Sequence, residues 1–145
     1  MNKATQNKLL ITARTSIGVK HSALDCSHFV QRAYQQAGMS YPYMSSAAFG
    51  NEKNNKYFAF VGKNLSSKDL QDGDVIVFGG HMGIWDPQGC NQITIPLLGA
   101  TAECARLKNN APFLSSRGDD TRDVGVEYGR TQWWGDYKVF RWGEK

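Results

Sequence analysis

The chain has only three cysteines in 145 residues, Cys26, Cys90 and Cys104, and no CxxC pair among them. So sparse and odd a set excludes a disulfide framework and the usual structural zinc spacings. Cys90 and Cys104 read as ordinary thiols, with pairing open to them only in an oxidising compartment. Long apolar runs are missing too. The stretch Leu9-Leu10-Ile11 is far shorter than the core of a signal peptide, and nothing is long enough to span a membrane. The chain is therefore expected to be cytoplasmic as synthesised and to reach any other compartment by a signal-independent route. The formal charge of +4 suits an anionic partner such as cell-wall polymer, nucleic acid or a membrane surface. Its lysines and arginines are scattered, however, and form no run interleaved with aromatics, which argues against nucleic acid. There is no internal repeat, low-complexity tract or linker. A chain of this length that is 41% hydrophobic fills one core rather than two, so a single domain over residues 1–145 is expected.

What the chain does have is a cysteine at a helix start, in Leu24-Asp25-Cys26-Ser27-His28-Phe29-Val30. Asp25 is a good N-cap, Leu24 and Phe29 occupy the positions of a hydrophobic staple, Phe29, Ala33 and Ala37 recur at i, i+4, and Gly38 ends the helix. A thiol in the first turn meets free backbone N–H groups and the positive end of the macrodipole, which favour a thiolate. Further on, Val75-Ile76-Val77-Phe78, Gly79-Gly80 and His81-Met82-Gly83-Ile84-Trp85 read as a tight hairpin. Period two puts Met82 and Ile84 on one face, and His81, Gly83 and Trp85 on the other. The glycines about His81 read as space cleared for a substrate backbone. A thiol at a helix start and a histidine on a later strand is the arrangement of cysteine hydrolases, in which the imidazole takes the thiol proton and later protonates the leaving amine. The competing reading is a buried structural thiol and a satisfied core histidine.

The remaining chain supplies support. Leu9, Leu10, Ala13 and Ile17 fit one face of a helix from Thr5 to Ser16 that Gly18 stops. Met39 to Phe60 reads as a long loop with a short helix at Ser45 to Phe49. Its aromatics Tyr41, Tyr43, Tyr57, Phe58 and Phe60 belong either to packing or to the wall of a groove. A turn at Ser66 to Leu70 precedes the hairpin. A return strand at Asn91 to Ile95, an insertion over Pro96 to Asn110, a loop over Ser116 to Asp123, and strands at Phe113 to Ser115, Val124 to Tyr128 and Tyr137 to Trp142 follow it. Helices first and antiparallel strands after make an α+β layout.

Asp25-Cys26-Ser27, preceded by Ile17-Gly18-Val19 and followed by Phe29-Val30-Gln31-Arg32-Ala33-Tyr34, resembles the nucleophile segment of the NlpC/P60 family of cell-wall cysteine peptidases. Gly73-Asp74-Val75-Ile76-Val77-Phe78 with His81-Met82-Gly83-Ile84-Trp85 resembles that family's histidine segment, in the same order. The resemblance implies a papain-like α+β fold, with N-terminal helices packed on an antiparallel sheet. It also implies hydrolysis of amide bonds in peptidoglycan stem peptides, of the type between D-glutamate and diaminopimelate. Cys26 would be the nucleophile and His81 the general base. The third polar residue, which orients the imidazole, is expected at Gln92, with Asn91, Thr94 and, if Pro96 to Asn110 is an insertion, Ser115 as alternatives. Two departures stand out. His28 replaces the glycine usual two residues after the nucleophile, and a shortened loop brings His21 near the position of a tyrosine that helps hold the oxyanion. His21 and Ser27 are the candidate oxyanion or substrate residues, and Asp25 has capping as its simplest role. No cofactor or metal is implied, and a zinc set of Cys26, His28 and His81 is the weaker reading of the same residues. Small size and the missing leader suit a delivered antibacterial or lytic enzyme, with a cognate inhibitor (immunity) protein as a further expected partner. The competing functions are an N-acetylmuramoyl-L-alanine amidase or other thiol acyl-transfer enzyme on the same fold, and a non-catalytic domain that binds wall fragments or a protein partner.

Overall fold

Three short capped helices precede the sheet in the computed structural model, which describes residues 1–89, 112–118, 123–131 and 134–143. Helix α1 spans Lys3–Arg14, and the Asn2 side chain accepts a hydrogen bond from the Thr5 N–H. Leu9, Leu10 and Ala13 are buried as their spacing requires, but Ile17 is 46% exposed. The helix stops at Arg14, and the chain continues in tighter turns, with the N–H groups of Ser16 and Ile17 donating to the carbonyls of Ala13 and Arg14. That change of pitch rotates Ile17 outward and turns Ser16 inward, where it is buried. Helix α2 spans Cys26–Gln36, with the Asp25 carboxylate accepting from the His28 N–H. It ends before Gly38, whose φ of 92° suits a residue with no Cβ. Helix α3, Ser46–Phe49, is capped by Ser45.

The strands are β1 (Phe58–Lys63), β2 (Val75–Phe78), β3 (His81–Trp85), β4 (Pro112–Arg117), β5 (Gly125–Arg130) and β6 (Lys138–Trp142). They form one antiparallel sheet in the order β1-β6-β2-β3-β4-β5. The β2–β3 hairpin has the expected two-residue connection, with Phe78 opposite His81. Strand β1 replaces the end of the expected loop. Its alternation is broken by a register shift between Phe60 and Gly62, and its face is mixed, with Phe58 buried and Phe60 exposed. Ser116 and Arg117, expected in a loop, extend β4 and pair with β5. The expected return strand Asn91 to Ile95, the Pro96 to Asn110 segment, and Cys90 and Cys104 lie outside the described residues. Within the described residues β3 lies between β2 and β4.

Period two divides the apolar side chains into two clusters. One joins Leu9 and Leu10 of α1, and Cys26, Phe29, Val30, Ala33 and Tyr34 of α2, with Val75, Val77, Met82, Ile84, Leu114 and Phe140. The other joins Ile76, Phe78, Trp85, Phe113, Tyr137 and Val139, with Trp134 against it. Two bidentate ion pairs clamp the strands that carry the histidine. Arg141 of β6 donates twice to the fully buried Asp74 carboxylate just before β2, at 2.9 and 2.8 Å. Arg14 at the end of α1 donates twice to Asp86 just after β3, at 2.8 and 2.7 Å, and the Tyr128 hydroxyl of β5 donates to the same carboxylate. Each fork matches its carboxylate in geometry, which is what makes such pairs orienting devices. Among the described residues no helix is long and apolar enough to cross a membrane.

Candidate active site

Cys26 is the first residue of α2 and is buried. Its position follows from the loop before it. Gly18 donates its N–H to the Val126 carbonyl, and Val126 donates back to Val19, at 3.0 and 2.9 Å. Gly125 permits this approach, because a Cβ there would lie 2.1 Å from the Val19 carbonyl oxygen. The Asp123 carboxylate accepts from the Ser22 N–H and hydroxyl, and the Ser116 hydroxyl of β4 donates to the Leu24 carbonyl. The loop that leads into the thiol is thus tied along its length to β4, β5 and the segment between them.

The sulfur meets the sheet at a gap. Phe78 and His81 close the hairpin, so the Met82 N–H points away from β2. The β3–β4 pairing is formed at Ile84 and Trp85 and stops short of Met82. That N–H lies close enough to the Cys26 thiol to favour its charged form. The thiol therefore sits one peptide unit from His81. Burial pushes the Cys26 thiol up from its ordinary value, and the Asp25 carboxylate adds to the rise; the N–H groups of Met82 and of the helix start oppose it without winning. The thiolate expected from the helix start alone is thus not favoured at rest, because desolvation outweighs the dipole.

His81 is 4% exposed and lies on the opposite side chain face from Met82. Its ring stacks on Trp134 with centroids 3.8 Å apart and planes 11° from parallel, and Phe78 and Phe113 pack around it. Its Nε2 is 2.9 Å from the Ser115 hydroxyl. Burial pushes the imidazole down from 6.5 to about 4, with His21 and Arg117 adding to the fall. No hydrogen bond joins Cys26 to His81 among the described residues, and the directions of the two shifts leave the thiol and the imidazole each neutral at pH 7.

The other residues singled out from sequence fall as follows. Ser115 is on β4 against His81, whereas Gln92, Asn91 and Thr94 lie outside the described residues. His21 is on the loop before α2, with Nδ1 3.5 Å from the Ser116 hydroxyl. Ser27 is buried, its hydroxyl 2.6 Å from the Tyr43 hydroxyl and 3.2 Å from Asp25. His28 stacks on Tyr43 with centroids 4.2 Å apart, and its Nδ1 is 2.7 Å from Asp25. Burial works against the Asp25 carboxylate, but the backbone and ring of His28 more than offset it and hold it below the usual range. Among the described residues no group of three His, Cys, Asp or Glu is placed to hold a metal ion, so Cys26, His28 and His81 do not gather.

Gly83 corrects one expectation. A Cβ there would lie 2.4 Å from the Leu114 carbonyl and 2.5 Å from the Phe113 ring, so the missing side chain admits β4 and not a substrate. Gly79 and Gly80 do face open space, with nothing within 4 Å of an added Cβ. Of the loop aromatics, Tyr41 and Phe58 are core, while Tyr43, Tyr57 and Phe60 are exposed. Trp134 is not singled out by any pattern in the sequence.

The family model for the NlpC/P60 family matches residues 16–137. The chain belongs to the NlpC/P60 family. The match takes in the tethered loop, α2, the histidine hairpin, β4, β5 and Trp134, and so covers every element of the site described above. Membership in the NlpC/P60 family suggests cell-wall peptidase or hydrolase activity with peptidoglycan as substrate, and members are generally cysteine peptidases or amidases. No curated protein matches the chain.

Proposed function

We propose that the protein is a papain-like cysteine hydrolase that cleaves an amide bond in peptidoglycan stem peptides, with Cys26 as nucleophile, His81 as general base and Ser115 as the residue that orients the imidazole. The observation that carries this reading is the thiol at the start of α2, near the Met82 N–H, with the neighbouring His81 held through Nε2 by the Ser115 hydroxyl at 2.9 Å. When the Ser115 hydroxyl accepts from Nε2–H, the other ring nitrogen is left as a base. In the reaction the thiol proton passes to that nitrogen as the sulfur attacks the substrate carbonyl carbon. The tetrahedral oxyanion is met by backbone N–H groups at the α2 start, with His21 as a side-chain donor. The imidazolium then protonates the leaving amine as the C–N bond breaks. Water, deprotonated by the same imidazole, hydrolyses the thioester and restores the thiol. The neutral resting pair means that proton transfer accompanies attack and does not precede substrate binding.

Within this reading the bond is the one between D-glutamate and diaminopimelate, and the enzyme is lytic, acting from the periplasmic side. An inhibitor protein in the producing cell belongs to the same proposal. Expression of the chain behind a periplasmic leader is expected to lyse cells. Cytoplasmic expression, or periplasmic expression of Cys26→Ala, is expected to be harmless. Equal survival in both compartments would remove the lytic reading. The amidase alternative separates by product, since it would free the intact stem peptide from the glycan.

A further inference from the structure

Tyr43 is 46% exposed, yet both its ring and its hydroxyl are held at the start of α2. The ring stacks on His28 with centroids 4.2 Å apart and planes 18° from parallel, and the hydroxyl lies 2.6 Å from that of Ser27. The segment that carries Tyr43 runs back along α2. Met39 donates its N–H to the Tyr34 carbonyl, the Gln31 amide donates to the Tyr41 carbonyl, and Tyr43 arrives at Ser27 and His28, about one helical turn further back each time.

The contacts at the helix start close on themselves. Ser27 donates its hydroxyl to Asp25 Oδ1 at 3.2 Å, which leaves Tyr43 as the donor to Ser27. The same carboxylate oxygen meets the His28 N–H at 2.9 Å and the His28 ring Nδ1 at 2.7 Å. A carboxylate offers only lone pairs, and Asp25 is held below the usual range and so stays charged, which places the ring hydrogen on Nδ1. The Tyr43 ring, stacked on the imidazole, completes the circuit. Cys26 lies between Asp25 and Ser27 in the chain, and the Asp25 charge works against its thiolate. A glycine in place of His28 could make neither the stack nor the ring contact.

We propose that His28 is a positioning residue for the nucleophile: its Nδ1–H holds the Asp25 carboxylate and answers the charge beside Cys26, and Tyr43 keeps the half-exposed ring in place. The inference rests on Cys26 as the nucleophile and is independent of which bond is cut. The titratable groups in contact with the ring are Asp25, at its own helix start, and Tyr43 on the returning segment. The thiol has Asp25 beside it and, on β3, His81 next to the Met82 N–H.

The test is the pH profile of alkylation by iodoacetamide in the full chain, followed by mass spectrometry of the peptide that contains Cys26. His28→Phe keeps a ring for Tyr43 but removes the N–H, and is expected to move the midpoint up by about half a pH unit, the scale of an exposed charge pair. His28→Asn puts an amide N–H where Nδ1 stands and is expected to restore the wild-type midpoint. Beside Asp25→Asn, His28→Phe is expected to have no further effect, since the charge it answers is gone. Tyr43→Leu frees the ring and is expected to give a smaller upward shift. An unmoved midpoint in His28→Phe, a shift that His28→Asn does not reverse, or one that persists beside Asp25→Asn would overturn the assignment. An unmoved midpoint in Tyr43→Leu would overturn the part given to Tyr43. Alkylation needs no wall substrate, so sacculi left uncut while His28 and Asp25 remain coupled would remove the hydrolase reading and leave the positioning role standing.

Discussion

At the gap between β3 and β4 the Cys26 sulfur lies near backbone N–H groups, those of Met82 and of the α2 start, beside the aliphatic core. The neighbouring His81 is held by side chains alone, between Trp134, Phe78 and Phe113 and against the Ser115 hydroxyl. Strand β4 repeats the division in two adjacent residues, since Ser115 serves the imidazole while Ser116 fixes the Leu24 carbonyl beside the thiol. A nucleophile held by backbone tolerates substitution of its neighbours. A base held by packing does not, because each neighbour sets both its direction and its protonation.

The sharpest way to break this contrast is to remove the base itself. His81→Ala is expected to lower kcat/KM roughly a hundredfold to ten-thousandfold while leaving Cys26 still open to alkylation by iodoacetamide. The same histidine sets an acid limit to stability. Its folded-state value near 4 lies below its ordinary 6.5, so the unfolded chain takes up the proton first. The stability due to the neutral ring is complete above about 6.5 and is lost as pH falls through about 4, roughly 3 kcal/mol in all. Urea titrations at pH 7 and pH 4 would measure it, and His81→Phe should flatten the dependence.

Ser115→Ala comes next, with an expected loss of about tenfold in kcat and little change in KM, since it frees the ring to rotate without touching substrate. Trp134→Leu opens one ring face to water and so should raise the histidine toward 6.5, moving the acid limb of the kcat/KM profile upward by about one pH unit. An unmoved limb would show that Trp134 does not control the base. Smallest is the change on the backbone-held side. Asp25→Asn keeps a side chain able to cap α2 and removes the negative charge that raises the thiol. Stability should change by less than about 0.5 kcal/mol, while the pH profile of Cys26 alkylation shifts downward.

How much of this was legible in the chain follows the same divide. The capped helix at Cys26 and the hairpin at Gly79-Gly80 are local patterns, written in residues a few positions apart, and both stand where their spacing put them. Trp134, from the turn before β6, and Ser115, on β4, reach His81 from far along the chain, and no local period marks such a meeting. Ser115 was visible only as an alternative, conditional on reading Pro96 to Asn110 as an insertion. Gly83 misled because a glycine needed for close strand packing and one needed for substrate access leave the same letter. Ile17 misled because a change of helical pitch at Arg14 has no strong residue signal. The raised thiol of Cys26 was missed for a physical reason: capping is written in the sequence, whereas the burial that raises it is decided by the packing of residues distant along the chain.

The measurement that bears most directly on the central claim is digestion of purified sacculi by the wild-type, Cys26→Ala and His81→Ala proteins, with the released fragments identified by mass spectrometry. The account predicts fragments ending at D-glutamate from the wild type, none from Cys26→Ala, and the same fragments far more slowly from His81→Ala. Equal release by wild type and Cys26→Ala, or no release by any of the three, would contradict it.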